Sequence, residues 1–223
     1  MCDVKVIIVA AGKGSRFGAD CPKQFCFLNG RPVLMTSIDS FRSALPAAKI
    51  VTVISREMQS LWEDLCREHN FISPEICYGG ATRWESVSNG LKLLEGSASE
   101  AVVLVHDAAR PILPAGVIHR VINGATESDG AIPVVPVTDS LRMLTADGSQ
   151  SVDRSLFRAV QTPQGFTYGK LAQAYNLPYS PLFTDDASVM EAAGFHNIVL
   201  VEGDIRCMKI TNPHDIEIAE LML

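Results

Sequence analysis

The stretch Val6-Ile7-Ile8-Val9-Ala10-Ala11-Gly12-Lys13-Gly14-Ser15-Arg16-Phe17-Gly18 decides how this chain is read. An apolar, β-branched run gives way to small residues and then to a glycine loop carrying two cations. A third cation, Lys23, follows in Pro22-Lys23-Gln24. The run predicts a strand buried on both faces of a parallel sheet. The glycines let backbone N–H groups approach an anion closely, because no Cβ stands in the way. Lys13, Arg16 and Lys23 bring positive charge to the same place. In a chain of net charge -6, a loop this basic points to a polyphosphate ligand.

The spacing excludes two familiar nucleotide loops. No Gly-Lys-Ser/Thr closes a G-x-x-x-x-G-K-[ST] pattern, so the loop is not a P-loop. The glycines run G-x-G-x-x-x-G. The second strand, Lys49–Ile54, ends in Ser55-Arg56 where a dinucleotide fold needs an acid for the ribose. A dinucleotide pyrophosphate also carries less charge than a triphosphate and rarely needs three cations. The plainer reading is a glycine turn with solvated charges. The strand before it and the cations around it favour an anion site.

At 223 residues the chain fits one large domain or two small ones. A hydrophobic content of 47% is ample for a buried core. The acidic balance argues against a general nucleic-acid surface. No apolar run has the length of a membrane span, and no signal peptide is expected. The six cysteines, Cys2, Cys21, Cys26, Cys66, Cys77 and Cys207, are scattered with no C-x-x-C pair. They read as reduced thiols of a cytoplasmic protein; Cys21, near the glycine loop, is either a modifiable thiol or, the plainer reading, an ordinary buried one.

Working outward from the first strand, Val4–Ala10, strand and helix signals alternate. Val33–Ser43 reads as a helix with Leu34, Ile38 and Phe41 on one face. Glu57–His69 is a helix and Glu75–Tyr78 a short strand. Thr82-Arg83-Trp84-Glu85 is a capping box opening a helix to Leu94. Ala101–Val105 is an apolar strand ending in His106-Asp107. Ala115–Ser128 is a helix and Ala131–Val135 a strand. Ile198–Val201 and Met208–Ile210 read as late strands. Asn212-Pro213 opens a last helix with Asp215 and Glu217 in its early turns. The alternation predicts a doubly wound, mostly parallel α/β sheet, with ligands at the carboxyl ends of its strands. The glycine loop, Gly79-Gly80 and His106-Asp107 all fall at such ends.

Residues 136–158 break the pattern. Two extended runs flank Ala146-Asp147-Gly148-Ser149, which reads as a β-hairpin. The segment is too poor in apolar residues to fold on its own core. It is either an arm that pairs with a partner chain or a flexible surface hairpin.

Asp107, at a strand end beside a polyphosphate, is well placed to hold Mg²⁺, which keeps several waters and needs few protein ligands. An ordinary loop aspartate is the plainer alternative. His106 reads as structural, since nothing nearby resembles a nucleophile in need of a base. Thr184-Asp185-Asp186-Ala187 reads as an N-cap with acids on the helix dipole. Lys209 is either a phosphate contact or a solvated edge lysine.

Taken in order, several segments resemble one known family. They are Ala10-Ala11-Gly12-x-Gly-x-Arg16-x-Gly18, Pro22-Lys23-Gln24-Phe25, Gly79-Gly80-x-x-Arg83-x-x-Ser86-Val87-x-x-Gly90-Leu91 and His106-Asp107-Ala108-Ala109-Arg110-Pro111. Asp153-Arg154, Gln161-Thr162-Pro163-Gln164, Thr184-Asp185-Asp186-Ala187 and Lys209-Ile210-Thr211 follow. Nearly the whole chain is similar to the 2-C-methyl-D-erythritol 4-phosphate cytidylyltransferases of the non-mevalonate isoprenoid pathway. The H-D-A-A-R-P and P-K-Q-F motifs carry the specificity of the match.

The resemblance implies a Rossmann-like, nucleotide-diphospho-sugar transferase-like fold, with residues 1–223 as a single nucleotidyltransferase domain. It implies that CTP and methylerythritol phosphate give the CDP-linked alcohol and pyrophosphate. Ala10, Ala11, Gly12 and Gly14 would line the nucleotide. Gly80, Ala81 and Ser86 would meet the cytosine, and Ala108 the ribose. Arg16 and Lys23 would stabilise charge during transfer, and Asp107 would hold Mg²⁺. Thr162, Thr184 and Lys209 would surround the acceptor phosphate. Ser140 and Arg154, on the arm at 136–158, would reach the partner's site in a homodimer. Ser140 stands where many members carry threonine. Arg206-Cys207-Met208 departs from the family's more polar pattern.

Such a reaction needs no general base, because the attacking phosphate is already ionised at neutral pH. That matches the lack of a Ser-His-Asp or Cys-His constellation. A ribitol 5-phosphate cytidylyltransferase shares these motifs and this chemistry. A nucleotide-binding module without turnover would need fewer charges. A GT-A-like glycosyltransferase would show a D-x-D after a central strand, and none is present.

Overall fold

The computed structural model describes residues 3–12 and 22–223. Lys13, Gly14, Arg16 and Cys21 lie outside the described residues. The first strand, β1 (Val4–Ala10), is followed by a tight hairpin of β2 (Phe27–Leu28) and β3 (Arg31–Pro32). Then come α1 (Val33–Ala44), β4 (Lys49–Ile54), α2 (Gln59–Glu68), β5 (Glu75–Tyr78), α3 (Arg83–Lys92), β6 (Val102–Asp107), α4 (Ala115–Glu127) and β7 (Gly130–Pro136). The hairpin β8 (Leu141–Thr145) and β9 (Gly148–Val152) precedes β10 (Arg158–Val160) and β11 (Gln164–Thr167). Helices α5 (Tyr168–Ala174) and α6 (Asp186–Ala192), strand β12 (Ile198–Glu202) and helix α7 (His214–Leu221) complete the chain.

The central sheet runs β10-β7-β11-β6-β1-β4-β5, with β12 also on β7. Strands β6, β1, β4 and β5 are parallel neighbours, as are β12 and β7. The expected doubly wound sheet is present, with an antiparallel wedge: β11 runs against both β6 and β7. Strand β1 shows why the sheet is covered on both faces. Val6 and Ile8 pack with Leu34, Ile38 and Phe41 of α1 and with Ile118 and Val121 of α4. Ile7, between them, turns to Val87 and Leu91 of α3 and Met190 of α6. Alternation along a strand sends successive side chains to opposite faces. An unbroken apolar run therefore needs two helical layers. All six residues of β6 are buried for the same reason.

Two expectations differ from what is observed. Met208–Ile210 forms no strand. Ile205–Cys207 is a single 3₁₀ turn, and the chain then crosses the end of the sheet with one backbone bond, from Ile210 N–H to the Ala109 carbonyl at 2.8 Å. The apolar character there serves packing, since Ile210 is fully buried with Leu28, Val33 and Ile112. The helix expected to start at Glu57 begins with a 3₁₀ turn at Arg56–Met58 before α2 proper. The hairpin at 136–158 forms as expected. Among the described strands, β8 and β9 pair only with each other. Met143, Leu144, Leu156 and Phe157 on and beside it are exposed. Among the described residues, no helix is long and apolar enough to cross a membrane.

Candidate active site

Two cavities lie over the carboxyl ends of the central strands. The larger, about 570 Å³, has Ala10, Ala11 and Gly12 after β1, Gly80 and Ala81 after β5, and Asp107 and Ala108 after β6 in its wall. The smaller, about 290 Å³, has Thr162, Gln164, Thr184 and Arg110 in its wall. Arg83, Asp107 and Lys209 line both, so the two cavities meet at these three side chains.

The larger cavity is shaped by close backbone approach. A Cβ on Gly79 would stand 2.3 Å from the Ala11 Cβ, and one on Gly80 would stand 2.4 Å from the Glu85 Cβ. Only glycine lets this loop lie against the end of β1. The loop is then locked by its own polar groups. Thr82 and Glu85 form the expected capping box, and Glu85 accepts the Thr82 N–H at 3.0 Å. Ser86 Oγ accepts the Gly80 N–H at 3.2 Å and donates to the Thr82 carbonyl at 2.9 Å. The start of α3 thus forms part of the wall, where a helix dipole favours anions. On the opposite side the Gln24 amide is buried and donates to the carbonyls of Ala10 at 2.7 Å and Gly12 at 3.2 Å. Its neighbour Lys23 lines the cavity and donates to the Ile210 carbonyl at 2.8 Å.

Asp107 stands at the junction. Its Oδ1 accepts Arg83 Nε at 3.1 Å and its Oδ2 accepts Lys209 Nζ at 2.7 Å. Burial alone would raise its pKa. The Arg83 and Lys209 charges overcome that and hold the carboxyl well below the usual range, so it is ionised. Arg83 is itself anchored from behind. Its Nη1 and Nη2 meet Asp186 Oδ1 and Oδ2 at 3.0 and 2.8 Å, and Asp186 is fully buried. Burial opposes the Arg83 charge, but Asp186 and then Asp107 raise its pKa well above the ordinary value.

A second set of bonds fixes the backbone at this point. The Asp107 N–H donates to Thr162 Oγ1 at 3.0 Å, and Thr162 Oγ1 lies 3.1 Å from His106 Nδ1. His106 Nε2 lies 3.0 Å from the Arg110 carbonyl, which can only accept. Burial pushes the imidazole down to about 4, against the opposing pull of Asp107, so the ring is neutral. The Nε2 proton then goes to Arg110, and Nδ1 receives the Thr162 hydroxyl proton. His106 is therefore structural, as expected from the sequence.

Residues 4–223 match the family model described as 2-C-methyl-D-erythritol 4-phosphate cytidylyltransferase. The chain belongs to that family. The Bacteroides thetaiotaomicron protein of that name is 44% identical over 219 residues, covering 98% of each chain. The Bacteroides fragilis protein of the same name is 43% identical over 218 residues, covering 97% of this chain and 98% of that one. A crystal structure of a 4-diphosphocytidyl-2C-methyl-D-erythritol synthase aligns at a TM-score of 0.82 with 32% identity, over 100% of this chain and 98% of the other. That of the Thermus thermophilus cytidylyltransferase aligns at 0.75 with 32% identity, over 99% and 98%.

Against the cytidylyltransferase pattern, the expected residues fall into groups. Ala10, Ala11, Gly12, Gly80, Ala81, Ser86, Ala108 and Lys23 all line the larger cavity. Thr162 and Thr184 line the smaller, and Asp107 and Lys209 line both. Gly14 and Arg16 lie outside the described residues. Ser140 and Arg154 are exposed and line neither cavity of their own chain; Arg154 donates to the Thr138 carbonyl. Asp185 caps α6, accepting the Ser188 N–H at 2.9 Å, as expected. Asp186 does more than neighbour the helix dipole, since it pairs with Arg83. Arg83, Gln24 and Gln164 received no role from sequence. Gln164 accepts the Asp186 and Ala187 N–H groups, both at 3.0 Å, and donates to Asp185 at 2.9 Å. The motifs name these residues but not their partners, which lie from 12 to 103 residues away along the chain.

Proposed function

We propose that this chain is a cytidylyltransferase. It joins CTP to 2-C-methyl-D-erythritol 4-phosphate, releasing pyrophosphate and 4-diphosphocytidyl-2-C-methyl-D-erythritol, in the non-mevalonate route to isoprenoids. The observation that carries this reading is the meeting of two cavities at Asp107, Lys209 and Arg83. One cavity takes the nucleotide and the other the acceptor phosphate, so their phosphates face each other at the shared wall.

An acceptor phosphate oxygen attacks the α-phosphorus of CTP. The bond from the α-phosphorus to the bridging oxygen breaks, and pyrophosphate leaves with that electron pair. The nucleophile is already anionic, so no base is needed. The obstacle is repulsion between a phosphate dianion and a triphosphate. Lys23 and Arg16 stabilise the charge that builds on the triphosphate, and Lys209 draws in the acceptor phosphate. Thr162 fixes the Asp107 backbone, and Thr184 borders the acceptor. Ala10, Ala11, Gly12 and Gly14 admit the nucleotide, Gly80, Ala81 and Ser86 take the base, and Ala108 the ribose.

Asp107 suits Mg²⁺ as a single hard oxygen ligand. Among the described residues no three acidic, histidine or cysteine side chains gather into a cage. Its donor chemistry fits a cation that takes its remaining ligands from phosphates and water. Bound there, Mg²⁺ would neutralise phosphate charge. The exposed apolar side chains of the arm, Leu144 at 84% and Leu156 at 80%, support a homodimer in which 136–158 packs on a second copy. Ser140 and Arg154 then serve the partner's acceptor site. We read residues 1–223 as one domain working in the cytoplasm.

Pyrophosphate release tests the function. Purified protein with CTP and Mg²⁺ should release pyrophosphate on addition of methylerythritol phosphate and far more slowly with ribitol 5-phosphate. Preference for ribitol 5-phosphate would reassign the acceptor. CTP binding with no release from either would mark a binding module.

A further inference from the structure

Asp186 lines neither cavity, yet it is fully buried and ionically paired. A buried carboxylate needs charge and hydrogen-bond partners on both oxygens. Asp186 has them: Arg83 takes both oxygens as a fork, and the Tyr175 hydroxyl donates to Oδ1 at 2.7 Å. Tyr175 is braced in turn by the ring of Trp84, stacked on it at 5.7 Å and 15°. Trp84 follows Arg83 on α3, so the brace closes on itself.

The third edge of the same guanidinium reaches Asp107 Oδ1 at 3.1 Å. A guanidinium is planar, with its donors in a fixed fork. If Asp186 moves, the Nε–H that faces Asp107 moves with it. The two helices joined by this link start beside the walls of different cavities. Arg83 opens α3 directly after Ala81 and Thr82, which line the larger one. Asp186 opens α6 directly after Thr184 and Asp185, which line the smaller one.

We propose that Asp186 is a positioning residue that acts through Arg83 to set the Asp107 carboxylate and to couple the nucleotide cavity to the acceptor cavity. The proposal rests on the cytidylyltransferase reading. Removing one partner of a buried ion pair leaves the other charge uncompensated and destabilises the fold, so the geometry of the junction is read only in variants shown to be folded. Lysine at position 83 cannot replace the link, because one ammonium cannot hold three oxygens in a plane.

The test uses the full chain with Asp186→Asn and Tyr175→Phe. It measures the CTP Kd by calorimetry, kcat and KM for methylerythritol phosphate, and the Kd of that acceptor with and without a non-hydrolysable CTP analogue. Asp186→Asn should lower kcat/KM for the acceptor roughly tenfold or more. The CTP Kd should change by less than about threefold, since the bonds that hold the base loop are untouched. The analogue should tighten acceptor binding about fivefold or more in the wild type, and this gain should vanish in Asp186→Asn. Tyr175→Phe should move each value the same way by less, and it carries the test should Asp186→Asn fail to fold. Folded variants with wild-type kcat/KM and undiminished tightening would overturn the proposal. A wild type that never turns over this acceptor would instead overturn the functional reading beneath it.

Discussion

Lys209 Nζ lies 2.7 Å from Asp107 Oδ2, and the two residues share the wall between the two cavities. The pair brings together a strand end and a crossing segment 102 residues apart in sequence. A cation and a carboxylate in contact at this point can exchange partners when phosphates arrive. With acceptor and Mg²⁺ bound as proposed, Lys209 would face the acceptor phosphate and Asp107 would hold the metal ion.

Lys23 is expected to act on the transition state more than on binding. Lys23→Ala should lower kcat by on the order of 10²–10³ while the fold, followed by circular dichroism, is kept. Turnover near the wild-type rate would remove Lys23 from the charge-stabilising role.

Asp107 is expected to set the metal dependence. Asp107→Asn keeps the shape and removes the charge, so the Mg²⁺ concentration needed for half-maximal activity should rise by roughly tenfold or more. A Mg²⁺ titration that overlays the wild type would show that Asp107 is not a ligand.

The buried His106 ring gives a pH signature in stability. Its folded pKa, about 4, lies below the ordinary 6.5, so the unfolded chain binds more protons between those values. Its contribution is fully present above pH 6.5 and is lost as pH falls toward 4. Chemical denaturation of the ligand-free protein should show this decline. In His106→Gln the slope over that window should be shallower; an equal slope would mean that the ring titrates normally.

Residues on the arm should complement residues in the cavity. If Ser140 and Arg154 serve the partner's site, Lys23→Ala and Arg154→Ala are each nearly inactive alone. Unfolding and refolding them together should restore activity, because mixed dimers hold one site with both residues intact. No recovery in a mixture shown to contain mixed dimers would place Arg154 in its own chain's site.

Much of this site could be read in the sequence where the governing forces are local. Strands β1, β4 and β5 have the bounds expected from the sequence. The Thr82–Glu85 capping box depends on four consecutive residues. The antiparallel placement of β11 was not legible, because its direction is set by pairing with β6 and β7, not by its own four residues. Arg83 and Asp186 are 103 residues apart, and only the fold makes them a pair. Met208–Ile210 shows the opposite failure: Ile210 is buried in a cluster with Leu28, Val33, Ile112 and Ala219, and period alone cannot tell that from a strand.

In the proposed reaction the acceptor's own phosphate attacks the α-phosphorus of CTP. Methylerythritol phosphate carrying ¹⁸O in its phosphate, turned over with unlabelled CTP, tests this directly by mass spectrometry of both products. Attack by that phosphate puts all of the label in the CDP-linked alcohol and none in the pyrophosphate. Label in the pyrophosphate, or no CDP-linked product, would contradict it.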